Sequence, residues 1–418
     1  MNSKLLLSAT FCLSAALAGA QSSDKAFAIT GDGNQDHMWM NIRQVDLSTG
    51  KLQKTIFQRS KTAFLLTDVN TKQISTQETP SSNIYMSKEY PTGSFVAAAA
   101  YDSRNNKLFF TPMRIGELRW VDLDIKSETP KFYTMSSELL NFGNPQDEAN
   151  HITRMVIAAD GNGYAMTNDG NHFIKFTTGK KPVITDLGNL IDAESNNGVS
   201  IHNKCTSWGG DMLADAFGKL YVISANRNVF VVDINSRVAT FKGTISGLPD
   251  NYTTNAAAVN KDGNIVVGSA NVFDGYYIVD LAALKAAPLQ GSDKTYNASD
   301  LANGNFLLQK EADEAKKYNV TPAPLLDNTF SNSDKRVFPN PVTTSSFAVL
   351  FDGFKAGTYN IVLTDLSGRN MQTQKTSVGK GTQKETVNLK TLPAKGMYMV
   401  KVYDEARQVV FTEKIVIQ

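Results

Sequence analysis

Cysteine is nearly absent from this chain, with two residues in 418, Cys12 and Cys205. Cys12 sits inside an N-terminal apolar run, so a chain that has lost that run keeps one thiol and forms no internal disulfide. Stability must then come from a buried core, and the roughly 300 central residues are enough to build one. Histidine is as scarce: His37, His151, His172 and His202 are scattered, and no HExxH, paired CxxC, Walker or Rossmann glycine pattern occurs. A conventional zinc or nucleotide site is therefore not expected, and calcium is the one cofactor the residues leave open. Basic excess is lacking too. Residues 21–336 hold 31 Lys and Arg against 34 Asp and Glu. A phosphate-binding surface needs a basic surplus, so no nucleic-acid partner is expected. Beyond the N-terminal run no apolar stretch reaches membrane length, and no transmembrane segment is expected in the mature chain.

What the N-terminus does have is an export pattern. Lys4 precedes the apolar segment Leu5–Leu17, and Ala18, Gly19 and Ala20 supply the small residues a signal peptidase accepts. Residues 1–20 read as a signal peptide cut before Gln21. Cys12 lacks the small-residue setting of a lipoprotein cysteine beside the cut.

The middle of the chain repeats. A turn rich in Asp, Asn and Gly precedes a short apolar strand in YDSRNNKLFFTP from Tyr101, ADGNGYAMT from Ala159, ADAFGKLYVIS from Ala214 and NKDGNIVVGS from Asn260. A second strand follows and ends in an apolar pair, Asp and another aliphatic: RQVDL, RWVDL, FVVDI and YIVDL, closing at Leu47, Leu123, Ile234 and Leu281. The third unit departs, with FIKFTTG placing Phe176 where Asp is expected. Taking Asp46, Asp122, Phe176, Asp233 and Asp280 as markers, the intervals are 76, 54, 57 and 47 residues. Multi-stranded repeats near this length indicate propeller blades. The long first interval has room for a partial extra blade, and FLLTDVNTKQ at Phe64 has its pattern. The segment from Asp300 repeats an inner strand without a following partner, and the strands near Ala26–Leu52 lack an inner one. Joining the two ends in one blade removes the open sheet edge. The fold class is all-β: residues 21–310 form a propeller of about six blades, range five to seven, with a pair of β-sandwiches as the alternative. The blades resemble the broad class of WD40-like, NHL-like and quinoprotein-like bacterial propellers, although none carries a clean motif of any one of these. Residues 311–336 are polar, contain Pro322 and Pro324, and read as a linker.

From Val337 the character changes. Pro339 and Pro341 bracket Asn340 and start a new folding unit. Tyr359, Ile361 and Leu363 alternate with polar residues, and Tyr398, Val400 and Val402 alternate with Met397, Met399 and Lys401. Gly357, Gly368, Gly381 and Gly396 fall between the runs, where turns favour positive φ. Residues 337–418 read as a small antiparallel β-sandwich of about seven strands. The PNP opening, LSG after Asp365, the second Gly-x-Tyr and the basic closing strand resemble the C-terminal sorting domain of the type IX secretion system, found on secreted and surface-attached proteins of the Bacteroidetes. The motif residues are Pro339, Asn340, Pro341, Gly357, Tyr359, Asp365, Gly368, Gly396 and Tyr398. The resemblance implies export by the type IX machinery, handling by its sortase with a cut around Ser331–Arg336, and secretion or attachment to a surface lipopolysaccharide.

Two segments carry candidate chemistry. In GDGNQDH, Asp32, Asn34 and Asp36 alternate as calcium ligands do, but the stretch is also ordinary turn chemistry and no EF-hand glutamate follows. In NGVSIHNKCTSWGGDM, His202, Trp208 and Asp211 form the richest polar cluster, a candidate ligand loop before a blade. A Cys205–His202 nucleophile is the reactive reading of that loop; a packed Trp and a satisfied His is the plain one. Two functions stand. A non-catalytic module would bind a glycan, peptide or protein through loop aromatics such as Trp39, Trp120, Trp208, Tyr252 and Tyr276. A propeller hydrolase or lyase acting on an extracellular polysaccharide or lactone would need carboxylates converging on the axis. Acidic or histidine side chains in the axial channel favour the enzyme, and an apolar or Asn/Ser lining favours the binder.

Overall fold

The computed structural model describes residues 23–417 apart from 34–35, 78–85, 125–128, 293, 295, 318–335, 366–368, 380, 390–393 and 407. The expected signal peptide, most of the expected linker and Gly368 lie outside the described residues. The chain divides into two compact units, Met1–Gln309 and Lys310–Gln418.

The first unit is built from short strands separated by tight turns. Strands β1 (Lys25–Thr30), β2 (Asn41–Asp46) and β3 (Lys51–Phe57) come first, followed by a hairpin of β4 (Phe64–Asp68) and β5 (Ile74–Gln77). Next are β6 (Val96–Asp102), β7 (Lys107–Pro112), β8 (Glu117–Asp122) and β9 (Lys131–Ser136). Strands β10 (Ile152–Ile157), β11 (Gly163–Thr167), β12 (Phe173–Phe176) and β13 (Ile184–Asp186) form a third group. A fourth holds β14 (Ile191–Asp192), the one-turn helix α1 (Lys204–Ser207), β15 (Asp211–Ala214), β16 (Lys219–Ile223), β17 (Asn228–Asp233) and β18 (Val238–Thr244). The last contains β19 (Ala256–Val259), β20 (Ile265–Gly268), β21 (Tyr277–Asp280), β22 (Lys285–Pro288) and β23 (Ala298–Ala302).

Each group is one antiparallel blade, with two exceptions: β14 adds parallel to β18 at the outer edge of the fourth, and β23 leaves its neighbours and pairs with β1, opposing Phe27 to Ala302 and Ile29 to Asp300. The two ends of the repeat thus meet in blade 1, as their incomplete patterns imply. The pairing ends at Ala302, and Leu307 goes on to bridge Asp215 of blade 4. The innermost strands β23, β6, β10, β15 and β19 neighbour one another in a ring. They are rich in alanine, with Ala98, Ala99, Ala256, Ala257, Ala258 and Ala298 buried, because five converging strands leave space only for small side chains at the axis. Larger side chains fill the wedges between blades. One apolar cluster lies in each wedge: around Phe57 and Phe110 between blades 1 and 2, and around Phe109 and Ile174 between 2 and 3. Clusters around Phe173 and Phe230, Ile223 and Val267, and Val45 and Val266 complete the circle.

The described strands make five blades, the lower end of the expected range. The segment at Phe64 is not a sixth. Its β4 runs parallel to β9, with Leu65 opposite Lys131, and extends the outer edge of blade 2. It has no inner apolar strand with which to reach the axis, so it can add only at the rim. All five markers close the third strand of a blade. Asp46, Asp233 and Asp280 each accept backbone N–H groups two and three residues on, which is how they set the turn to the outer strand. Phe176 departs from the pattern for a packing reason. Its ring lies over Gly163, where a Cβ would come within 2.0 Å of it, and its centroid is 5.5 Å from that of Phe109 on blade 2.

The second unit opens with α2 (Gln309–Lys317), which occupies the start of the expected linker. Seven strands follow. A three-stranded sheet contains β24 (Val337–Phe338), β25 (Ser346–Phe351) and β28 (Gln383–Asn388). A four-stranded sheet has the order β27 (Asn370–Val378), β26 (Gly357–Asp365), β29 (Gly396–Tyr403), β30 (Val409–Ile417). Tyr359, Ile361, Leu363, Tyr398, Val400 and Val402 fill the core between them. The repeated Gly-x-Tyr has one meaning in both places: Tyr359 donates its hydroxyl to the Lys355 carbonyl at 2.8 Å, and Tyr398 to that of Ala394 at 2.7 Å. Asn340 ties the PNP turn to β30, donating to the Lys414 carbonyl at 2.8 Å and accepting from the Val416 amide at 3.0 Å. Asp365 accepts both the amide and the Nε of Arg369. Of the glycines expected at positive φ, Gly381 has it, at 98°, and Gly396 has 157°, near extended backbone. Gly357 does not: it opens β26 in ordinary backbone.

Candidate functional site

The loop that carries His202, Trp208 and Asp211 is divided by its glycines. Gly210 has φ +94° and a Cβ there would lie 1.9 Å from the Ile223 carbonyl, so the chain turns sharply and starts β15 at the axis. His202 and Trp208 stay behind on the surface, half-buried, with Trp208 Nε1 donating to the His202 carbonyl at 3.0 Å and Lys204 Nζ 5.0 Å from the indole centroid. His202 Nδ1 lies 2.5 Å from the Asp169 carbonyl. Cys205 is exposed, its amide donated to the Asn203 side chain that caps α1. The arrangement fits the plain reading of the loop, corrected in that neither His202 nor Trp208 is fully buried.

Asp211 points inward instead. Its Oδ1 accepts the Met212 amide at 2.7 Å, and Oδ2 accepts the amides of Ala257 at 2.6 Å and Leu301 at 3.2 Å, joining the inner strands of blades 4, 5 and 1. Asp300 meets it there, and both side chains are wholly buried. Burial pushes both carboxyls well above the ordinary range, and the Asp211 charge pushes Asp300 further. With N–H donors filling the Asp211 oxygens, burial and the neighbouring Asp211 charge favour the protonated form of Asp300. Arg154 of β10 is buried near them, donating to the carbonyls of Gly209 and Asn168. Burial lowers its pKa to about 9, against the opposing pull of Asp169 and Asp211.

An open cleft lies elsewhere, between blades 2 and 3. A cleft of about 130 Å³ is bounded by the β7–β8 turn, the 140–145 segment and residues 150–152. Gly116 permits this: a Cβ there would lie 2.9 Å from the Leu140 carbonyl, so turn and segment approach closely. Arg114, Asn141, Asn144 and Pro145 are exposed at the cleft. Phe142 stacks on His172, with centroids 4.3 Å apart and planes 28° apart, and His172 Nδ1 lies 2.7 Å from Asp186 Oδ2. His151 Nε2 lies 2.9 Å from the Pro145 carbonyl and fixes the segment from below. The floor is held by Glu117, whose Oε2 accepts from Arg119 Nη2 at 2.7 Å and Thr134 Oγ1 at 2.5 Å; Arg119 also donates to the Pro91 and Lys88 carbonyls. Sequence reasoning missed this cleft. Its one visible trace is ELRWVD, where Glu117 and Arg119 alternate with apolar residues ahead of the Asp122 that ends the strand.

The calcium candidate is occupied by a cation of the protein's own. Arg59 donates Nε to Asp32 Oδ2 at 2.8 Å and Nη2 to Asp36 Oδ2 at 2.7 Å, while Asn41 and Gln58 donate to the other Asp32 oxygen. Asn34 lies outside the described residues. Among the described residues no three His, Cys, Asp or Glu converge as metal ligands. Of the loop aromatics, Trp120 is buried and stacked on Tyr133, and Tyr252 and Tyr276 are buried, so these three pack blades. Trp39 is half-buried beside His37. No helix among the described residues is long and apolar enough to cross a membrane.

Comparison with known proteins places the C-terminal unit. Residues 336–418 match the family described as the secretion system C-terminal sorting domain. No curated protein matches the chain. Among solved structures, PorZ, an essential bacterial surface component of the type IX secretion system of Porphyromonas gingivalis, is 13% identical over 94% of this chain and 52% of its own, with a TM-score of 0.29. The chain thus spans about half the length of PorZ. A streptogramin B lyase is 10% identical over 63% of this chain and 81% of its own, TM-score 0.32. A putative 6-phosphogluconolactonase from Bacteroides uniformis is 8% identical over 65% of this chain and 98% of its own, TM-score 0.33.

Proposed function

We propose that this protein is a binding propeller displayed on or released from the cell surface, which holds an extracellular glycan or peptide in the cleft between blades 2 and 3 without transforming it. The sorting domain at 336–418 marks the chain for type IX export, to be attached to or secreted from the outer cell surface. We take the leader at 1–20, the sortase cut around Ser331–Arg336 and a Bacteroidetes source to belong to the same route.

The observation that carries the binding reading is the fate of the axial acids. A propeller hydrolase needs carboxylates that meet solvent and substrate, whereas Asp211 and Asp300 are sealed at 0% exposure and the oxygens of Asp211 are taken by backbone amides. The cleft offers what a binding site uses: a stacking ring in Phe142, side-chain amides in Asn141 and Asn144, and one cation in Arg114. A hydrolase or lyase has one observation on its side, the His172–Asp186 pair behind Phe142, in which a carboxylate orients an imidazole as a general base is oriented.

The test uses the full mature chain, screened against immobilised bacterial and host glycans and against a peptide library. Phe142→Ala and Arg114→Ala should each weaken the hits about tenfold with unchanged thermal unfolding. Hits unaffected by both substitutions would remove the cleft from the proposal. Mass spectrometry of each ligand after incubation separates the readings, since turnover lost in His172→Ala establishes the enzyme.

A further inference from the structure

Exposed apolar side chains gather on the C-terminal unit. Met371, Met397, Val409 and Val410 are all more than a third exposed, and all lie on the four-stranded sheet. One face of that sheet covers the core. Register places Met399 of β29 opposite Thr364 on one side and Lys414 on the other, Lys401 opposite Val362 and Thr412, and Lys375 opposite Asn360. The outer face is therefore a methionine-bearing surface set with Lys375, Lys401 and Lys414; none of its described strand positions carries a carboxylate, and Glu405, in the turn after β29, accepts the Thr358 amide at its end. Lys401 and Lys414 occupy diagonal positions on adjacent strands, an arrangement that repels rather than stabilises. Parts of the sheet edges are engaged within the unit. The Val342 amide donates to the Val416 carbonyl on one side, and Gln372 and Gln374 reach the carbonyls of Asn388 and Thr386 on the other.

We infer that this face is the docking surface of the sorting domain, and that its partner is a protein surface of acidic charge with apolar patches between the acids. Unbranched methionine adapts its shape to a partner and is enriched at interfaces, while uncompensated lysines select an acidic surface and speed the encounter. The unit as a whole agrees in sign, with ten basic and six acidic residues from Val337 onward. The inference stands on the C-terminal unit alone and does not depend on what the propeller binds.

The test is export of the full chain in a type IX-competent host, read by fractionation. The charge-reversed variant Lys375→Glu, Lys401→Glu, Lys414→Glu should lower the surface and medium fraction at least tenfold and accumulate in the periplasm. Lys→Arg at the same three positions should export normally, and Met397→Ser with Met399→Ser should impair export without changing charge. Thermal unfolding of the purified full chains checks folding; should the triple variant be unstable, the single Lys→Glu variants take its place, each expected to lower export. Normal export of folded charge-reversed chains overturns the proposal. So does equal failure of the Lys→Arg and Lys→Glu sets, since charge is then not what is read. A purified wild-type chain that dimerises through this face, and that Lys→Glu makes monomeric, assigns the face to a second copy and overturns the acidic partner.

Discussion

Asp211 takes the backbone N–H of Leu301 at 3.2 Å, and this contact sets its carboxyl against that of Asp300 at the centre of the propeller. The pair binds a proton more tightly in the folded protein than in the unfolded chain, where an aspartate titrates near about 3.9. Its contribution to stability is therefore fully present below that pH and is lost as the pH rises through the raised value. Asp300→Asn, whose amide donates as the protonated acid does, should leave the fold intact and gain stability relative to wild type as the pH rises, by at most about 1.4 kcal/mol per pH unit. Asp211→Asn turns a donor against the amides of Ala257 and Leu301 and should cost about 1–3 kcal/mol at any pH. Urea unfolding at a series of pH values between 5 and 9 checks both. Parallel curves for Asp300→Asn and wild type would show that Asp300 takes up no proton on folding.

Gly163 is held as glycine by a ring rather than by its own backbone. Its φ is not positive, but a Cβ would fall within 2.0 Å of Phe176. Gly163→Ala should cost about 1–3 kcal/mol through overpacking. Shortening the neighbour with Phe176→Leu should recover part of that loss in the double variant, and additive losses would point to the strand backbone instead.

The thiol of Cys205 is exposed on α1 and packs nothing. Cys205→Ala should change stability by less than about 0.5 kcal/mol. A maleimide should label the native protein in one fast step, and slow labelling that requires denaturant would contradict the exposed position.

Removal of Val337–Gln418 should strand a folded propeller in the periplasm. The sorting domain carries the export information, and it belongs to a compact unit separate from the propeller. Fractionation of cells making the whole and the shortened chain reads the result directly. Equal surface display of both would show that export information lies elsewhere in the chain.

Much of the architecture was legible because it is written in local chemistry. The Asp that ends each VDL run caps its own turn within three residues, so the blade period could be read from Asp46, Asp233 and Asp280 without coordinates. Closure was legible because β23 has no partner strand following it and the β1–β3 group has no inner strand before it. The sixth blade was misread because β4 and β5 have strand chemistry like any blade strand, and only the parallel pairing of β4 with β9 assigns them to a rim. The cleft went unseen since its walls, Arg114, Phe142 and His172, carry no motif and meet only when blades 2 and 3 are side by side.

By itself the chain's order of residues determined an all-β repeat, an exported product and a sorting domain whose Gly-x-Tyr and PNP motifs act within their own unit. These are properties of segments a few residues long, whose turns and alternation are settled by neighbours in the chain. Tertiary structure alone decided that Asp211 leaves His202 and Trp208 on the surface and joins Asp300 at the axis, that Arg59 occupies the Asp32–Asp36 site, and that methionines and lysines share one face. Such meetings depend on how many blades close the ring and in what register, and closure is a property of the whole packed ring that no single repeat contains.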